Sequence, residues 1–322
     1  MKARTIAGSV LTAGSLLLVS ACGGGSDGGS GGSAGGDGTG KSHSPAASTA
    51  SPSVSASPAR PMAKMPVGTE LALAHKGRLT VCRGPAQAPF LETTDTSQSV
   101  DGSEIGRIKG FDVEMLSRIG DRISIPPEFD STLPIDQVLD GTVLNRKACD
   151  VVGGISPDSP SAFPQMSFSV PYFTKKTAIL VKGDKRYTSL DQLAGKQVGT
   201  TTSSGLPDDL DTYNTKHSKK IVVKRIEVPE AVVSMLLAGQ VDAVVIGNGV
   251  AKNAVAEHKD QDLHVTAEFG KAYQARFAVR KGNTALLRQI NAALADAGRN
   301  GQYAKSYRLW FGEEPPSVPT AG

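Results

Sequence analysis

Short apolar runs alternate with helical periodicity over roughly the last 255 residues of this chain, and that alternation restricts the fold more than any bulk property. Arg78-Leu79-Thr80-Val81-Cys82 reads as a strand, and Phe111, Met115, Leu116 and Ile119 then recur on one helical face. A strand near Ile125 to Phe129, a helix through Ile135, Val138 and Leu144, and the strand Asp150-Val151-Val152-Gly153 complete a β-α-β-α-β run. The pattern restarts at Ala178-Ile179-Leu180-Val181. Ser189-Leu190-Asp191-Gln192 then has the spacing of a capping box. Strands at 197–199, 221–223 and 243–246 alternate with helices at 206–213 and 229–237. A strand at 275–279 and helices at 284–297 and 302–310 close the chain. Strands interleaved with helices predict an α/β protein, its sheets mainly parallel and flanked by helices.

The first 66 residues are of another kind. Lys2 and Arg4 precede an apolar run from Ile6 to Val19 and then small residues, the layout of a secretory signal. The run is interrupted by Gly and Ser, and it is shorter than the roughly 20 apolar residues of a permanent span. Val19-Ser20-Ala21-Cys22 resembles a bacterial lipobox, which implies cleavage before Cys22 and a lipid on its thiol. Residues 23–66 are almost all Gly, Ser, Ala, Pro and Thr, too poor in apolar side chains to offset the entropy of ordering. They predict a flexible tether with a root-mean-square span of roughly 35–40 Å.

Charge and motifs exclude several functions. The net charge is +4, and no basic stripe is interleaved with aromatics, so nucleic acid is not an expected partner. The five histidines, His43, His75, His217, His258 and His264, lack metal-ligand spacing. There is no Gly-x-Ser-x-Gly elbow, and Gly247-x-Gly249 lacks the third glycine of a nucleotide fingerprint. Neither enzyme activity, nor a cofactor, nor a metal is expected. With Cys22 assigned to lipid, Cys82 and Cys149 form an even pair in an oxidising compartment, which predicts a disulfide.

Several segments, in order, resemble the family-3 extracellular solute-binding proteins, the bilobed receptors of polar amino-acid ABC importers. They are Gly77–Cys82, Ala88-Pro89-Phe90, Gly110-Phe111-Asp112-Val113-Glu114, Cys149-Asp150-Val151-Val152, Phe168–Phe173, Leu190–Gly199, Gly239–Val245, Val279–Gly282 and Gly301-Gln302-Tyr303 through Gly312. The resemblance implies a two-lobed periplasmic-binding-protein-like fold with two hinge crossings, near 173–175 and 272–274. The implied organisation is a lipoprotein signal peptide at 1–21, a lipidated Cys and linker at 22–66, lobe 1 at 67–173 plus 275–322, and lobe 2 at 176–271. The protein would be a monomer held by lipid on the outer face of the cell membrane. It would deliver a small polar solute to an ABC permease and its ATPase by hinge closure. The alternative is a degenerate solute-binding fold acting as a sensor or interaction module.

In that family an arginine forks the ligand α-carboxylate and acidic residues take the ammonium. The equivalent positions here are Ala162, Gly247 and Gly84, and no arginine lies between Arg146 and Arg186. Burying a zwitterion is costly unless both charges are paired, so this loss points away from an ordinary α-amino acid. The competing reading has Arg83 on the carboxylate and Asp158 on the ammonium. The expected lining is Arg83, Gln87 and Phe90 after the first strand, Ser156, Asp158 and Ser159 on the cleft floor, and Asn248 in a tight Gly-Asn-Gly turn. Thr201, Thr202, Ser203 and Ser204 lie where a strand turns into a helix, and their open N–H groups would suit an anion.

Overall fold

Leu79–Cys82 forms the first strand, β1, and all four of its residues are buried, as a strand covered by helices on both faces requires. The computed structural model describes residues 62–82, 88–93, 108–130, 133, 135–157, 163–202 and 209–320. The signal, the tether and Cys22 lie outside them. After β1 come a short antiparallel pair, β2 (Glu92–Thr93) and β3 (Ile108–Lys109), helix α1 (Phe111–Ile123) and strand β4 (Pro127–Asp130). Helices α2 (Ile135–Leu139) and α3 (Thr142–Asn145) lead to β5 (Val151–Ile155) and β6 (Met166–Phe168). β1 lies between β4 and β5, parallel to both.

The second series is β7 (Phe173–Lys182), β8 (Gln197–Thr201), α4 (Asp209–Lys216), β9 (Val222–Ile226), α5 (Pro229–Leu237), β10 (Ala243–Gly247) and α6 (Asn248–Glu257). Strand β11 (Leu263–Arg280) then returns the chain to the first series, which α7 (Thr284–Arg299) and α8 (Gln302–Phe311) complete. The sheet order is β4-β1-β5-β11-β7-β10-β8-β9, with β6 also on β11. The neighbours β1, β4 and β5 are parallel, as are β8, β9 and β10; β7 and β11 run antiparallel to what they join. Each half has its own core. Phe111, Met115, Leu116 and Ile119 of α1 pack with Leu286 and Ile290 of α7 and Tyr307 and Phe311 of α8 in the first half. Val232 and Leu236 of α5 pack on Leu180, Val244 and Ile246 in the second.

The Cys82–Cys149 disulfide is formed, with Cα atoms 5.7 Å apart, and it fastens the end of β1 to the residues entering β5. Several expected elements differ from the structure. The helix through Ile135 and Leu144 is two short helices, because Gly141 between them takes φ +82, where a Cβ would come within 2.8 Å of the Met166 side chain. The Ser189 capping box does not form. Leu190–Leu193 is a 3₁₀ turn, and Gln192 accepts from the Thr188 N–H at 2.7 Å. Gly247-Asn248-Gly249 is no isolated turn: it opens the ten-residue helix α6. The strand expected at 275–279 is the last part of an 18-residue strand.

Candidate functional site

The two long strands pass together from one half to the other. Phe173 pairs with Ala275, Thr174 with Gln274 and Lys175 with Tyr273, next to a break in register between Phe269 and Tyr273. Side chains alternate across a strand. Thr174 and Lys176 face one side and border a cavity of about 880 Å³ with Asn248, Glu268, Gln274 and Tyr303. Lys175 faces the other side. Its Nζ donates to the Gly154 carbonyl at 2.9 Å and lies 5.7 Å from the centre of the Phe90 ring, within range of a cation–π contact.

Gly154, in β5, is held through both its backbone groups, since its N–H donates to the Tyr172 hydroxyl at 3.1 Å. It has φ +69, and a Cβ there would lie 3.3 Å from Asp112 Oδ2, so conformation and space both favour glycine. Asp112 is only 6% exposed, and its Oδ1 has no hydrogen-bond partner. Burial pushes its carboxyl up to about 6, while the Lys175 ammonium and the donating Tyr172 hydroxyl pull it down. Burial draws the Lys175 ammonium below the ordinary lysine range, and Asp112 opposes that. The Tyr172 hydroxyl is pushed well up by burial first and then by Asp112. Asp112, Tyr172 and Lys175 thus form a buried polar cluster at the crossing, beside the end of β5.

Phe90 closes this cluster from above. Its ring meets Phe173 edge-on at 5.0 Å and lies 5.8 Å from Phe311. It also reaches the second half: a Cβ on Gly249 would sit 2.6 Å from the ring tip, so α6 approaches only because it carries glycine there. Further along, Asn253 Nδ2 donates to the Trp310 carbonyl at 2.9 Å, tying α6 to α8. Lys252 pairs with Glu268 at 2.6 Å and Glu313 at 2.8 Å. Against the downward pull of burial, those two carboxylates hold its ammonium above the ordinary range.

The expected site residues divide accordingly. Arg83, Gln87, Asp158, Ser159, Ser203 and Ser204 lie outside the described residues. Phe90 stands at the crossing, and Ser156 follows β5 with its Oγ buried and unpartnered. Thr201 is buried at the end of β8. Thr202 has no open N–H, because that group donates to Ile226 at 3.1 Å. The helix beyond begins, as described, at Asp209, whose carboxylate accepts from Thr177 Oγ1 at 2.7 Å, so negative charge already occupies its first turn. Asn248 borders the cavity beside the crossing and also clamps the strand there. It is 3% exposed, its Nδ2 donates to the Thr174 carbonyl, and its Oδ1 accepts from Lys176 and Gly249. Asp112, Tyr172 and Lys175 were not anticipated as site residues. The unusual Lys175-Lys176 pair beside the Pro171-Tyr172-Phe173 segment was the available signal. Among the described residues no cluster of His, Cys, Asp or Glu could hold a metal, and no helix is long and apolar enough to cross a membrane.

Two α/β halves joined through two shared strands are the architecture of bilobed binding proteins. Residues 92–313 match the family model of bacterial extracellular solute-binding proteins, family 3, and the chain belongs to that family. It is 27% identical over 231 residues to the L-cystine-binding protein TcyJ of Escherichia coli strain K12, covering 70% of this chain and 82% of that one. It is also 27% identical to a probable histidine-binding protein of Neisseria gonorrhoeae, over 65% of this chain and 77% of that one. Among solved structures, an ancestral arginine-binding protein bound to arginine superposes with a TM-score of 0.52 at 30% identity, over 73% of this chain and 99% of the other. The family and these relatives are binding proteins, not enzymes.

Proposed function

We propose that the chain is an extracytoplasmic receptor that captures a small polar solute, an amino acid or amino-acid-like compound, and presents it to an ABC import permease. The observation that carries this is the pair of strands common to both halves. Bending at Phe173–Lys175 and Tyr273–Ala275 would change the angle between the halves while leaving each core intact, a hinge motion that ligand can drive. The lobes are then 67–173 with 275–322, and 176–271. Relatives named for binding cystine, histidine and arginine support the solute class. Phe90, Ser156 and Thr201, with Arg83, Gln87, Asp158, Ser159, Ser203 and Ser204, supply the lining between the lobes. The signal, a lipid on Cys22 and the 22–66 tether hold a monomer at the outer face of the membrane, where solute is met before it crosses.

Thermal unfolding of the purified protein against amino acids, betaines, polyamines, sugars and organic acids tests the reading. A ligand at a hundred times its Kd adds about 2.7 kcal/mol. That raises Tm by roughly 5–10 °C in a protein of this size. No shift with any of these solutes refutes the proposal.

A further inference from the structure

We propose that the outer end of the second half, where Lys196, Lys216, Lys219 and Lys220 gather, is a docking surface for the anionic lipid headgroups of the membrane. The inference goes beyond the receptor reading and takes from it only that a membrane lies within reach of the tether.

The topology brings these lysines to one end of the molecule. Strand β11 runs from Leu263 at the outer end of the second half, through the crossing, to Arg280 at the outer end of the first. Its 18 residues span at most roughly 60 Å at about 3.3 Å per residue. β8 and β9 run parallel to β10, which is antiparallel to β7, so Gln197 and Val222 start at the same outer end as Leu263. There the Gly195 N–H donates to the Lys220 carbonyl at 2.8 Å, and the Val222 N–H to the Lys196 carbonyl at 2.9 Å. The Lys219 side chain crosses Gly195, where a Cβ would lie 3.0 Å from its Cε. Lys216 ends α4, and Asn214 of that helix holds Ile221 through both its side-chain groups, at 2.8 and 2.9 Å. All four lysines are exposed, and none pairs with a carboxylate within 4 Å among the described residues. Two acids at this end are already engaged. Asp191 lies 3.8 Å from His217 Nε2, and Asp242 accepts from the Gln197 N–H and pairs with Lys185 at 3.5 Å. Asp184, Asp260 and Asp262 belong to the ends of β7 and β11, away from the β8–β9 edge.

Lysines on an edge strand also keep that edge from pairing with another chain. That role needs charge on β9 itself, which carries Lys224 and Arg225, whereas Lys196, Lys216, Lys219 and Lys220 all lie off it. Val222, 52% exposed, stands among them. An apolar side chain ringed by lysines fits the boundary between headgroups and acyl chains better than it fits a soluble polyanion. The tether joins the opposite end. The Met65 N–H donates to the Arg122 carbonyl at 2.8 Å, at the end of α1 that leads into β4. Anchored at one end and basic at the other, the molecule would lie along the membrane.

The test is co-sedimentation with vesicles of phosphatidylcholine alone, or of three parts phosphatidylcholine to one part phosphatidylglycerol. The parent is the mature chain from residue 22 with Cys22→Ser, so that no attached lipid contributes. It should bind the mixed vesicles at about 50 mM salt, leave them at about 500 mM, and leave phosphatidylcholine unbound. A lysine at an anionic lipid surface is worth about fivefold in affinity. Lys196→Gln, Lys216→Gln, Lys219→Gln and Lys220→Gln together should therefore weaken binding by at least about 100-fold. The control removes the same charge from exposed positions of the first half, as Lys76→Gln, Lys147→Gln, Lys281→Gln and Lys305→Gln, and should bind within about threefold of the parent. Unliganded Tm and circular dichroism establish that each variant is folded. If the first quadruple variant unfolds, its four single variants decide, each expected to weaken binding about fivefold. Equal losses in the two quadruple variants overturn the inference, as do binding to phosphatidylcholine alone and no binding at low salt. Capture of soluble polyglutamate in place of the mixed vesicles overturns it too. In each case the receptor reading stands, because solute binding tests it separately.

Discussion

Replacing Asp112 with Asn should change the pH dependence of stability in a direction that burial dictates. In the folded protein the Asp112 carboxyl is raised from 3.8 to about 6, with burial as the largest cause. At 1.36 kcal/mol per unit, a rise of about 2 units corresponds to about 3 kcal/mol. The folded state holds this proton more tightly than the unfolded chain does. The stabilisation it provides is therefore complete below pH 3.8 and is lost as pH rises through 6. This is opposite in sign to Asp140, whose carboxyl is lowered by the Thr142 backbone N–H. The two charged or titratable groups acting on Asp112 are Lys175 and Tyr172. Urea unfolding at pH 4, 5, 6 and 7, followed by circular dichroism, gives the stability of wild type and Asp112→Asn. Subtracting the two cancels the other carboxylates. The variant should gain about 2 kcal/mol relative to wild type between pH 4 and pH 7, the remainder of the effect lying below pH 4. In a Lys175→Met background that keeps Asp112, the ammonium that favours the ionised form is gone, so the loss attributed to Asp112 should extend to higher pH. A difference between the two proteins that stays flat with pH would refute the reasoning.

Three further outcomes are expected. Gly249→Ala puts a methyl group where the Phe90 ring tip lies 2.6 Å away. It should cost about 1–3 kcal/mol in chemical unfolding, and Phe90→Leu in the same chain should recover much of the loss. Cys82→Ala with Cys149→Ala opens a disulfide whose cysteines are 67 residues apart. By loop-closure entropy this should cost about 4 kcal/mol, read as a lower denaturation midpoint than that of the oxidised protein. Cys22→Ser should abolish incorporation of labelled palmitate and move the protein from the membrane fraction to the medium.

What could be read along the chain was what local chemistry dictates. Leu79–Cys82, Val151–Val152 and Ala243–Ile246 are continuous apolar runs because strands covered on both faces must be, and each is a central strand of its half. The 3.6-residue spacing of Phe111, Met115, Leu116 and Ile119 marks α1 because that face meets α7 and α8. Cysteine parity was enough to pair Cys82 with Cys149 once Cys22 had another assignment. The first half of β11 gave no such signal. Thr266, Glu268 and Lys271 are polar because much of the crossing strand is half-exposed, so its length is set by pairing with β7 and not by apolar pattern. Asn248 and Gly249 read as a turn, since the closeness of Phe90 and the clamp on Thr174 and Lys176 belong to residues distant in the chain. The Asp112–Tyr172–Lys175 cluster was invisible for the same reason. Asp112 looks like an acidic residue in the first turn of a helix, and Lys175 like a solvated lysine. Only the folding of α1 against β5 and the hinge strand removes both from water, and that desolvation makes them neighbours whose charges depend on each other.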